Sequence, residues 1–441
     1  MKLYSTNNPK LRVDFAEAVF QALPGDGGLY MPEHLSVMPD EFWRKLPDFT
    51  LTDIAVEVSA HLLADELSRA TIERRLRRAI NFDAPLVPIA GRSPEQYILE
   101  LFHGPSMAFK DFGARFMSEV MEELLSSSGR RIKILVATSG DTGGAVAAGF
   151  HGNENVEVLI LYPRGGVSEI QEAQLTTLGG NVKAFRVAGT FDDCQRLVKQ
   201  AFTDTELRSR VDISSANSIN ILRLIPQTFY YLDAYRQWLT LGHRSAPVFS
   251  VPSGNFGNLT AGVIAHQLGM PVRRFIAATN ANDTVVRYAS TGDYAPRPSV
   301  KTLSNAMDVG SPSNFPRLQQ LLGSTWNAFR DKIYAVSFDD RRTEQELVDV
   351  YASTQLATTS GYVLDPHTAV GTLALQQYQK EVEAVPGIVL GTAHAGKFQP
   401  DVERILGQSI QLPDALQRVK SLPQEVTDLP NDYAAFRQHI H

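Results

Sequence analysis

A repeated pattern, in which a short apolar segment leads through a loop into a helical segment, constrains the fold most strongly. Strands are predicted at 132–137, 156–161 and 182–187, and a second series is predicted at 247–251, 274–278, 333–338 and 387–390. Apolar strands that alternate with helices indicate parallel sheets covered on both faces. Two such series predict an α/β protein with two parallel-sheet lobes, whose ligands bind in the cleft beyond the carboxyl ends of the strands.

The first 85 residues follow a different pattern. Turn residues are frequent between Pro24 and Pro47, and apolar residues then recur at helical spacing from Leu51 to Ile80. We therefore predict a mostly helical N-terminal domain at 1–85. Two later helices carry entry signals: Ser168 is the predicted N-cap of one, and Thr343 is predicted to open another with a capping box.

Composition excludes several classes of protein. Lys and Arg number 42 and Asp and Glu 48, a net charge of −6 that disfavours nucleic acid as a partner. The single cysteine, Cys194, excludes a disulfide framework and a cysteine-based metal cage, and no histidine pair has metal-ligand spacing on a helix. No apolar run is long enough for a membrane span, and the N-terminus lacks the apolar core of a secretion signal. We therefore expect a cytoplasmic enzyme that binds neither membranes nor metal.

Loops rich in Gly, Ser, Thr and Asn follow three of the predicted strands. The loop Ser253 to Asn258 is the best phosphate cradle, because its glycines let backbone N–H groups approach an anion at the start of a helix. The loop Ser139 to Gly144 contains Asp141, which suits an ammonium or hydroxyl better than a phosphate. The third loop is Gly391 to Lys397. The sequence has neither a Walker-type phosphate loop nor a dinucleotide fingerprint, so a nucleotide is disfavoured.

Lys110 lies among Met107, Ala108, Phe109 and Phe112. An ammonium in apolar surroundings tends to lose its proton, which makes the amine nucleophilic toward a carbonyl. Alone this is weak evidence, since most lysines near aromatic rings extend to water. Combined with a phosphate cradle that is not a nucleotide site, a reactive lysine predicts pyridoxal 5′-phosphate, which needs a Schiff base at one end and a phosphate anchor at the other.

Several segments together resemble the threonine synthases, in the long form that carries an N-terminal domain. The matching segments are His103 to Gly113, Ala137 to Gly143, Ser253 to Asn258, Asp26 to Pro32 and Ser215 to Asn220. The resemblance covers nearly the whole chain. It implies a fold type II pyridoxal-phosphate enzyme of the tryptophan synthase beta-like class, with a large lobe at 86–112 and 215–441 and a small lobe at 113–214.

The resemblance also implies an activity and the residues that carry it. The activity is conversion of O-phospho-L-homoserine and water to L-threonine and phosphate, the last step of threonine biosynthesis. Lys110 is the expected catalytic residue and forms the Schiff base with the cofactor. The other expected cofactor-binding residues are Gly254, Asn255, Phe256, Gly257, Asn258 and Thr392. The expected substrate-binding residues are Ser139, Asp141, Thr142, Asn217, Ser218, Arg223 and Arg115, and Lys397 is a further candidate for the leaving phosphate.

Alternatives remain open at the level of sequence. A dehydratase or phospholyase of the same fold would share the lysine and the loops and would differ only in its substrate. A non-enzymatic member of the fold and a nucleotide-dependent dehydrogenase are the other two. We expect a small-molecule substrate, and we expect the protein itself to be a monomer, with a dimer as the alternative.

Overall fold

The computed structural model of the protein describes residues 1–358 and 361–440. The strands in chain order are β1 (Lys2–Ser5), β2 (Arg12–Asp14), β3 (Tyr30–Pro32), β4 (Leu86–Pro88), β5 (Gln96–Glu100), β6 (Ile132–Ala137), β7 (Val156–Pro163), β8 (Val182–Val187), β9 (Ile213–Ser215), β10 (Val248–Pro252), β11 (Arg274–Thr279), β12 (Ile333–Ser337), β13 (Gly387–Gly391) and β14 (Thr427–Leu429). The helices are α1 (Phe15–Gln21), α2 (Asp40–Lys45), α3 (Leu51–Leu63), α4 (Arg69–Ala79), α5 (Lys110–Ser128), α6 (Asp141–Phe150), α7 (Glu169–Thr176), α8 (Phe191–Thr203), α9 (Thr205–Arg208), α10 (Gln227–Thr240), α11 (Gly257–Gln267), α12 (Thr284–Thr291), α13 (Phe315–Leu321), α14 (Trp326–Lys332), α15 (Asp340–Ala357), α16 (Pro366–Glu381), α17 (Gln399–Leu406), α18 (Asp414–Lys420) and α19 (Tyr433–Arg437). Short 3-10 turns lie at Leu46–Asp48, Ile221–Arg223, Asn305–Met307 and Ala395–Phe398.

The large lobe is built on a six-stranded sheet in the order β12-β11-β10-β13-β5-β4. Its strands are parallel except for β4, which runs antiparallel to β5 at one edge. Helix α16 covers one face and buries Val370 and Leu375 against Val248, Ile276 and Val389 of the sheet. Parallel strands covered by helices are buried on both faces, which explains their continuous apolar sequence.

The small lobe is built on a five-stranded sheet in the order β14-β8-β7-β6-β9, and all of its pairings are parallel. The two sheets confirm the predicted α/β class with two parallel-sheet lobes. The carboxyl ends of β6, β10 and β13 lead into the three loops that the sequence singled out. The fold therefore brings those loops to the side of the sheets where ligands of such proteins bind.

The N-terminal region differs from the prediction in one respect. It contains four helices, but also an antiparallel sheet in the order β2-β1-β3. The apolar pattern from Leu51 to Ile80 forms α3 and α4, which are separate helices rather than one. Strands of three and four residues are too short for a recognisable alternation of apolar and polar positions, so this sheet leaves little trace in the sequence.

The two predicted helix entries have different outcomes. Ser168 is confirmed as the N-cap of α7, because its side chain accepts a hydrogen bond from the Gln171 N–H and Gln171 bonds back to the Ser168 N–H. The entry at Thr343 is wrong. Helix α15 begins at Asp340, and the Asp339 side chain caps it. Aspartate is among the strongest N-cap residues, so it outcompetes the later threonine.

The C-terminal segment completes the small lobe. Strand β14 pairs with β8, and Phe436 of α19 packs against Phe185. The predicted division of the chain placed these residues in the large lobe, which the pairing of β14 contradicts for 427–429. No helix within 1–358 or 361–440 is both long and apolar enough to cross a lipid bilayer.

Candidate active site

One cavity between the lobes gathers almost all of the predicted site residues. It is lined by Lys110 at the start of α5, by Ser139, Asp141 and Thr142 after β6, by Asn217, Ser218 and Arg223 after β9, by Gly254, Asn255, Phe256, Gly257 and Asn258 after β10, and by Thr392 after β13. These residues come from five separate stretches of the chain. The crossing of the chain between the two lobes is what brings them together.

Lys110 is half-buried in the cavity wall. The pKa of its ammonium is lowered to about 8, mainly by burial and also by the nearby cation Arg223, whereas Asp141 opposes the shift. The Nζ atom lies 4.3 Å from the centre of the Phe109 ring. Its place in the first turn of α5 also disfavours the charged form, because a helix N-terminus carries partial positive charge. A fraction of the amine is therefore unprotonated near neutral pH and available as a nucleophile or base.

Backbone contacts fix the position of the lysine. The Phe109 N–H donates to the Thr392 carbonyl at 2.9 Å, and the His394 N–H donates to the Met107 carbonyl at 3.1 Å. Met107 has a φ of 55°, a left-handed conformation that is uncommon for methionine. The loop before α5 and the loop after β13 are thereby held side by side, with Lys110 and Thr392 on the same cavity wall.

The loop after β10 is shaped as an anion cradle. Phe256 adopts a left-handed conformation with a φ of 60°, which turns the chain directly into α11. The first N–H groups of a helix have no acceptor within the helix, and so they are free for an anion. Asn258 adds a side-chain donor, because Tyr230 and Tyr231 donate to its Oδ1 at 2.8 and 2.9 Å, while its buried Nδ2 has no partner among the described residues.

These features fit pyridoxal phosphate. The amide nitrogen of Asn258 and the start of α11 can hold the phosphate, and Lys110 has the lowered pKa that attachment to an aldehyde requires. The turn at Asn305–Met307 packs closely against the cradle. A Cβ on Gly254 would lie 2.7 Å from the Ala306 carbonyl oxygen and 2.9 Å from Met307 Cα. Only glycine fits there without moving the turn at Asn305–Met307.

Asp141 forms a buried ion pair across the two lobes. Its Oδ1 lies 2.8 Å from Lys397 Nζ, and the exposed fractions of the two side chains are 5% and 0%. Burial alone would raise the pKa of Asp141, but Lys397 and the Gln171 amide hold it below its ordinary value. Lys397 also donates to the Ser106 carbonyl at 2.8 Å. Its ammonium therefore serves the contact between the lobes, and Lys397 does not line the cavity as a phosphate ligand.

The segment after β9 also supplies polar side chains to the cavity. Asn217 donates from Nδ2 to the Ala137 carbonyl at 2.8 Å, and Ser218 Oγ accepts from Asn314 Nδ2 at 3.0 Å. Arg223 is buried, and its Nε has no partner among the described residues. Burial lowers the pKa of its guanidinium to about 10, so it remains charged at neutral pH. With Lys110 nearby, the cavity favours anions.

Arg115, like Lys397, is a predicted candidate for the leaving phosphate that does not line the cavity. Its Nε donates to the Ala79 carbonyl at 2.7 Å and its Nη2 to Asn81 Oδ1 at 3.0 Å. It therefore binds the C-terminal end of α4 and joins α5 to the N-terminal region. A helix carboxyl end carries partial negative charge, which explains why an arginine binds there.

The structure adds cavity residues that the sequence did not single out. Five of them form the turn at 305–309, which includes the half-buried Asp308, and Phe191 and Gln227 are two more. Burial raises the pKa of Asp308 to about 6, although Thr302 and Asn280 donate to its carboxylate. A signal was present, since Asn280 follows directly on the apolar segment that forms β11.

The histidines near the site have structural contacts. His367 bonds to the Asp365 carboxylate through Nδ1 at 2.8 Å and accepts the Ala306 N–H at Nε2 at 3.1 Å. Its Nδ1 therefore carries the proton, and the ring holds the 305–309 turn in place. His394 accepts the Gly396 N–H at Nδ1 and caps the 3-10 turn that follows.

Comparison with known proteins gives the same assignment along the whole chain. Residues 81–390 match the family described as pyridoxal-phosphate dependent enzyme, residues 2–80 match threonine synthase N terminus, and residues 368–440 match threonine synthase, C-terminal. The threonine synthase of Haemophilus influenzae is 43% identical to this chain over 440 residues, which cover 100% of this chain and 99% of the relative. That of Escherichia coli is 42% identical over 449 residues, 99% of each protein.

Solved structures agree with the sequence relatives. The crystal structure of threonine synthase from Escherichia coli matches with a TM-score of 0.90 at 41% identity and covers 100% of this chain and 99% of its own. A pyridoxal-phosphate-bound threonine synthase from Brucella melitensis matches with a TM-score of 0.89 at 33% identity and covers 100% and 98%. On the strength of these full-length matches and the cavity described above, the chain belongs to the threonine synthase family of pyridoxal-phosphate-dependent enzymes.

Proposed function

We propose that this chain converts O-phospho-L-homoserine and water to L-threonine and phosphate, with Lys110 as the catalytic residue. The observation that carries the proposal is the pairing, in one cavity, of a half-buried lysine of lowered pKa with a cradle for a phosphate. A second group of polar and cationic side chains, Asn217, Ser218 and Arg223, provides for a further anion. Two anion sites around one amine suit a cofactor and a substrate that each carry a phosphate.

When bound, pyridoxal phosphate supplies an aldehyde for an amine and a ring that accepts electrons from the substrate α-carbon. Of the residues present, Gly254, Asn255, Phe256, Gly257 and Asn258 would hold its phosphate, Lys110 would carry it and Thr392 would face its ring. Thr392 offers a neutral hydroxyl. A neutral partner would leave the ring nitrogen less protonated than a carboxylate partner would. A less protonated ring would withdraw electrons from the substrate less strongly.

Lys110 is assigned as the base that removes the proton from the substrate Cα. With a pKa of about 8, its amine is partly unprotonated at neutral pH and can return the proton later in the cycle. Asp141 and Thr142, at the start of α6, are assigned to the α-amino-acid end of the substrate, together with Ser139. The Asp141 carboxylate is already paired with Lys397, so it adds little net charge to repel the substrate carboxylate.

The leaving phosphate is assigned to Arg223, Asn217 and Ser218. As the Cγ–O bond breaks, negative charge collects on the departing phosphate, and the positive charge of Arg223, which lines the cavity, favours it there. In the overall reaction phosphate leaves Cγ and the oxygen of water ends on Cβ. A cation held in place before the reaction stabilises this charge without reorganising solvent.

The test is a substrate comparison with the purified holoenzyme. We expect threonine and phosphate to form in equal amounts from O-phospho-L-homoserine, and no ammonia to form from serine or threonine. Lys110→Ala is expected to abolish turnover and to lose the pyridoxyl label that borohydride fixes on the wild-type chain. Deamination of serine or threonine without threonine synthesis from phosphohomoserine would transfer the assignment to a dehydratase of the same fold.

The arrangement of the chain as a whole is also a proposal. We divide it into an N-terminal domain at 1–85, a large lobe at 86–112 and 215–426, and a small lobe at 113–214 to which 427–440 are added because β14 pairs with β8. That the protein works as a monomer in the cytoplasm stays a prediction. Sedimentation of the purified protein tests the first part.

A further inference from the structure

A fully buried arginine, Arg317, lies behind the cavity and has no acidic partner among the residues that the structure describes. All five N–H bonds of the Arg317 guanidinium are used, and each acceptor is a neutral oxygen. The bonds run from Nε to the Tyr30 carbonyl (3.1 Å), from Nη1 to the Ser218 carbonyl (3.0 Å) and Asn314 Oδ1 (2.9 Å), and from Nη2 to the Tyr30 carbonyl (2.8 Å) and the Ile219 carbonyl (2.7 Å). Burial alone sets its pKa, since no neighbouring carboxylate among the described residues contributes.

Such a charge is unfavourable in the protein as it stands. Burial lowers the pKa of Arg317 to about 9, which still leaves it charged at neutral pH. A buried charge without a counter-ion destabilises a fold by several kcal/mol unless something compensates it. Carbonyl oxygens compensate only in part, because they carry partial charges. A bound anion on the far side of the carbonyls would complete the compensation.

One of the residues that Arg317 holds, Ser218, lines the cavity. Its Nη1 binds the backbone of Ser218, and Asn314 links the same guanidinium to Ser218 Oγ. Asn314 also reaches the cofactor cradle, because its N–H donates to the Asn255 carbonyl at 3.2 Å. A Cβ on Gly257, at the start of α11, would lie 3.2 Å from Ser218 Cβ and 3.5 Å from Asn314 Nδ2. Arg317 therefore lies directly behind the side of the cavity where α11 begins.

The N-terminal domain contributes to the same arrangement. Tyr30, at the start of β3, gives the carbonyl that takes two of the five bonds. The Val19 carbonyl of α1 accepts from Ser214 Oγ at 2.9 Å and from Asn220 Nδ2 at 3.0 Å. The segment from 214 to 220 is thus anchored on the N-terminal domain from the side away from the cavity.

We propose that Arg317 is a positioning residue for the substrate phosphate: it fixes Ser218 and its neighbours from behind, and its uncompensated charge favours an anion in front of them. The proposal rests on the proposed function, because it takes the phosphate of the substrate to bind at Asn217, Ser218 and Arg223. Arg317 touches neither substrate nor cofactor, so its effect is confined to ligands that place an anion there.

The experiment compares two ligands of the holoenzyme by calorimetry. One is the phosphonate isostere of O-phospho-L-homoserine. The other is norvaline, which has the same carbon chain without the phosphonate. We expect Arg317→Gln to weaken the phosphonate at least tenfold and norvaline less than twofold. Arg317→Lys, which keeps the charge, is expected to hold the phosphonate within threefold of wild type.

Three outcomes would overturn the proposal. Equal weakening of both ligands would show that Arg317 serves only the fold, and unchanged phosphonate affinity in Arg317→Gln would show that its charge does not reach the site. A Lys variant as weak as the Gln variant would show that charge is not the reason. If the wild type binds norvaline but not the phosphonate, the proposed substrate is wrong instead, so the two failures are distinguishable.

A milder variant covers the case in which Arg317→Gln does not fold. Asn314→Ala removes the amide that joins the guanidinium to Ser218 Oγ and leaves the four bonds to carbonyls in place. We expect it to weaken the phosphonate at least threefold and to leave norvaline unchanged. Equal affinities for the phosphonate in Asn314→Ala and wild type would contradict the proposal.

Discussion

At the scale of single residues, the site keeps a lysine in a place that disfavours its charge. The pKa of Lys110 is about 8 against an ordinary 10.5, so the folded chain holds its proton less tightly than the unfolded chain does. Below pH 8 this difference destabilises the folded apoprotein in full, and it disappears as the pH rises toward 10.5. The same burial that destabilises the fold makes the amine reactive.

The first prediction follows from this destabilisation of the folded apoprotein by the charged form of Lys110. Lys110→Met should stabilise the apoprotein at pH 7 by roughly 2 kcal/mol, since it removes a buried charge. The gain should shrink as the pH is raised from 8 to 10, as measured by urea unfolding. Lys10→Met changes an exposed lysine and should leave the free energy of unfolding unchanged. A gain that is independent of pH would contradict the argument.

The second prediction concerns the ion pair between the lobes. Asp141→Asn and Lys397→Met each leave one buried charge without its partner, which costs about 3–5 kcal/mol for such pairs. The double variant should lose less free energy of unfolding than the two single variants lose together, because it leaves neither charge without a partner. Urea unfolding of the four apoproteins measures the coupling. The exposed pair of Lys45 and Glu41 is the control and should show no measurable coupling; strict additivity at Asp141 and Lys397 would contradict the prediction.

At the scale of elements, two loops meet at the cofactor cradle with no space between them. Gly254→Ala should therefore displace the turn at Asn305–Met307 or the cradle itself, because the added Cβ meets backbone atoms that cannot rotate away. We expect the dissociation constant of pyridoxal phosphate from the apoprotein to rise at least tenfold. Gly25→Ala, where nothing lies within 4 Å, should bind the cofactor as the wild type does. Unchanged affinity in Gly254→Ala would show that the turn yields freely.

The same scale shows what the sequence could predict. Buried parallel strands have an apolar signature of their own, and the predicted bounds of β6 and β8 match the structure. The loops after β6 and β10 could be predicted because glycine is required there: Gly140 has a φ of 127°, and Gly254 has no room for a Cβ. The turn at 305–309 could not, since it is held by contacts such as that of Ala306 with His367, which is distant in sequence. The prediction that Arg115 binds substrate was wrong for the same reason. Its acceptors lie at the end of α4, and no local sequence pattern predicts that contact.

At the scale of the whole molecule, the C-terminal segment returns to the small lobe and adds the edge strand β14 to its sheet. Phe436 is fully buried, and its ring meets that of Phe185 edge-on at 6.1 Å. Asp428, on β14, bonds to Arg186 of β8 at 2.8 Å. Since the small lobe carries Ser139, Asp141 and Thr142, residues 427–440 stabilise half of the active site without approaching it.

The last prediction tests this dependence. Phe436→Ala should cost about 3 kcal/mol, the usual loss for a buried phenylalanine, and the loss should fall mainly on the small lobe. Hydrogen exchange should accelerate in β8 and β7 while β10 and β13 keep their protection, because Phe436 packs into a core on one face of the small sheet to which the large sheet contributes no residue. Leu422→Ala, at a side chain that is 47% exposed, is the matched control and should change the unfolding free energy by less than about 0.5 kcal/mol. Equal acceleration in both sheets would mean that the two lobes unfold as one unit, and the C-terminal segment would then stabilise the molecule as a whole rather than its small lobe.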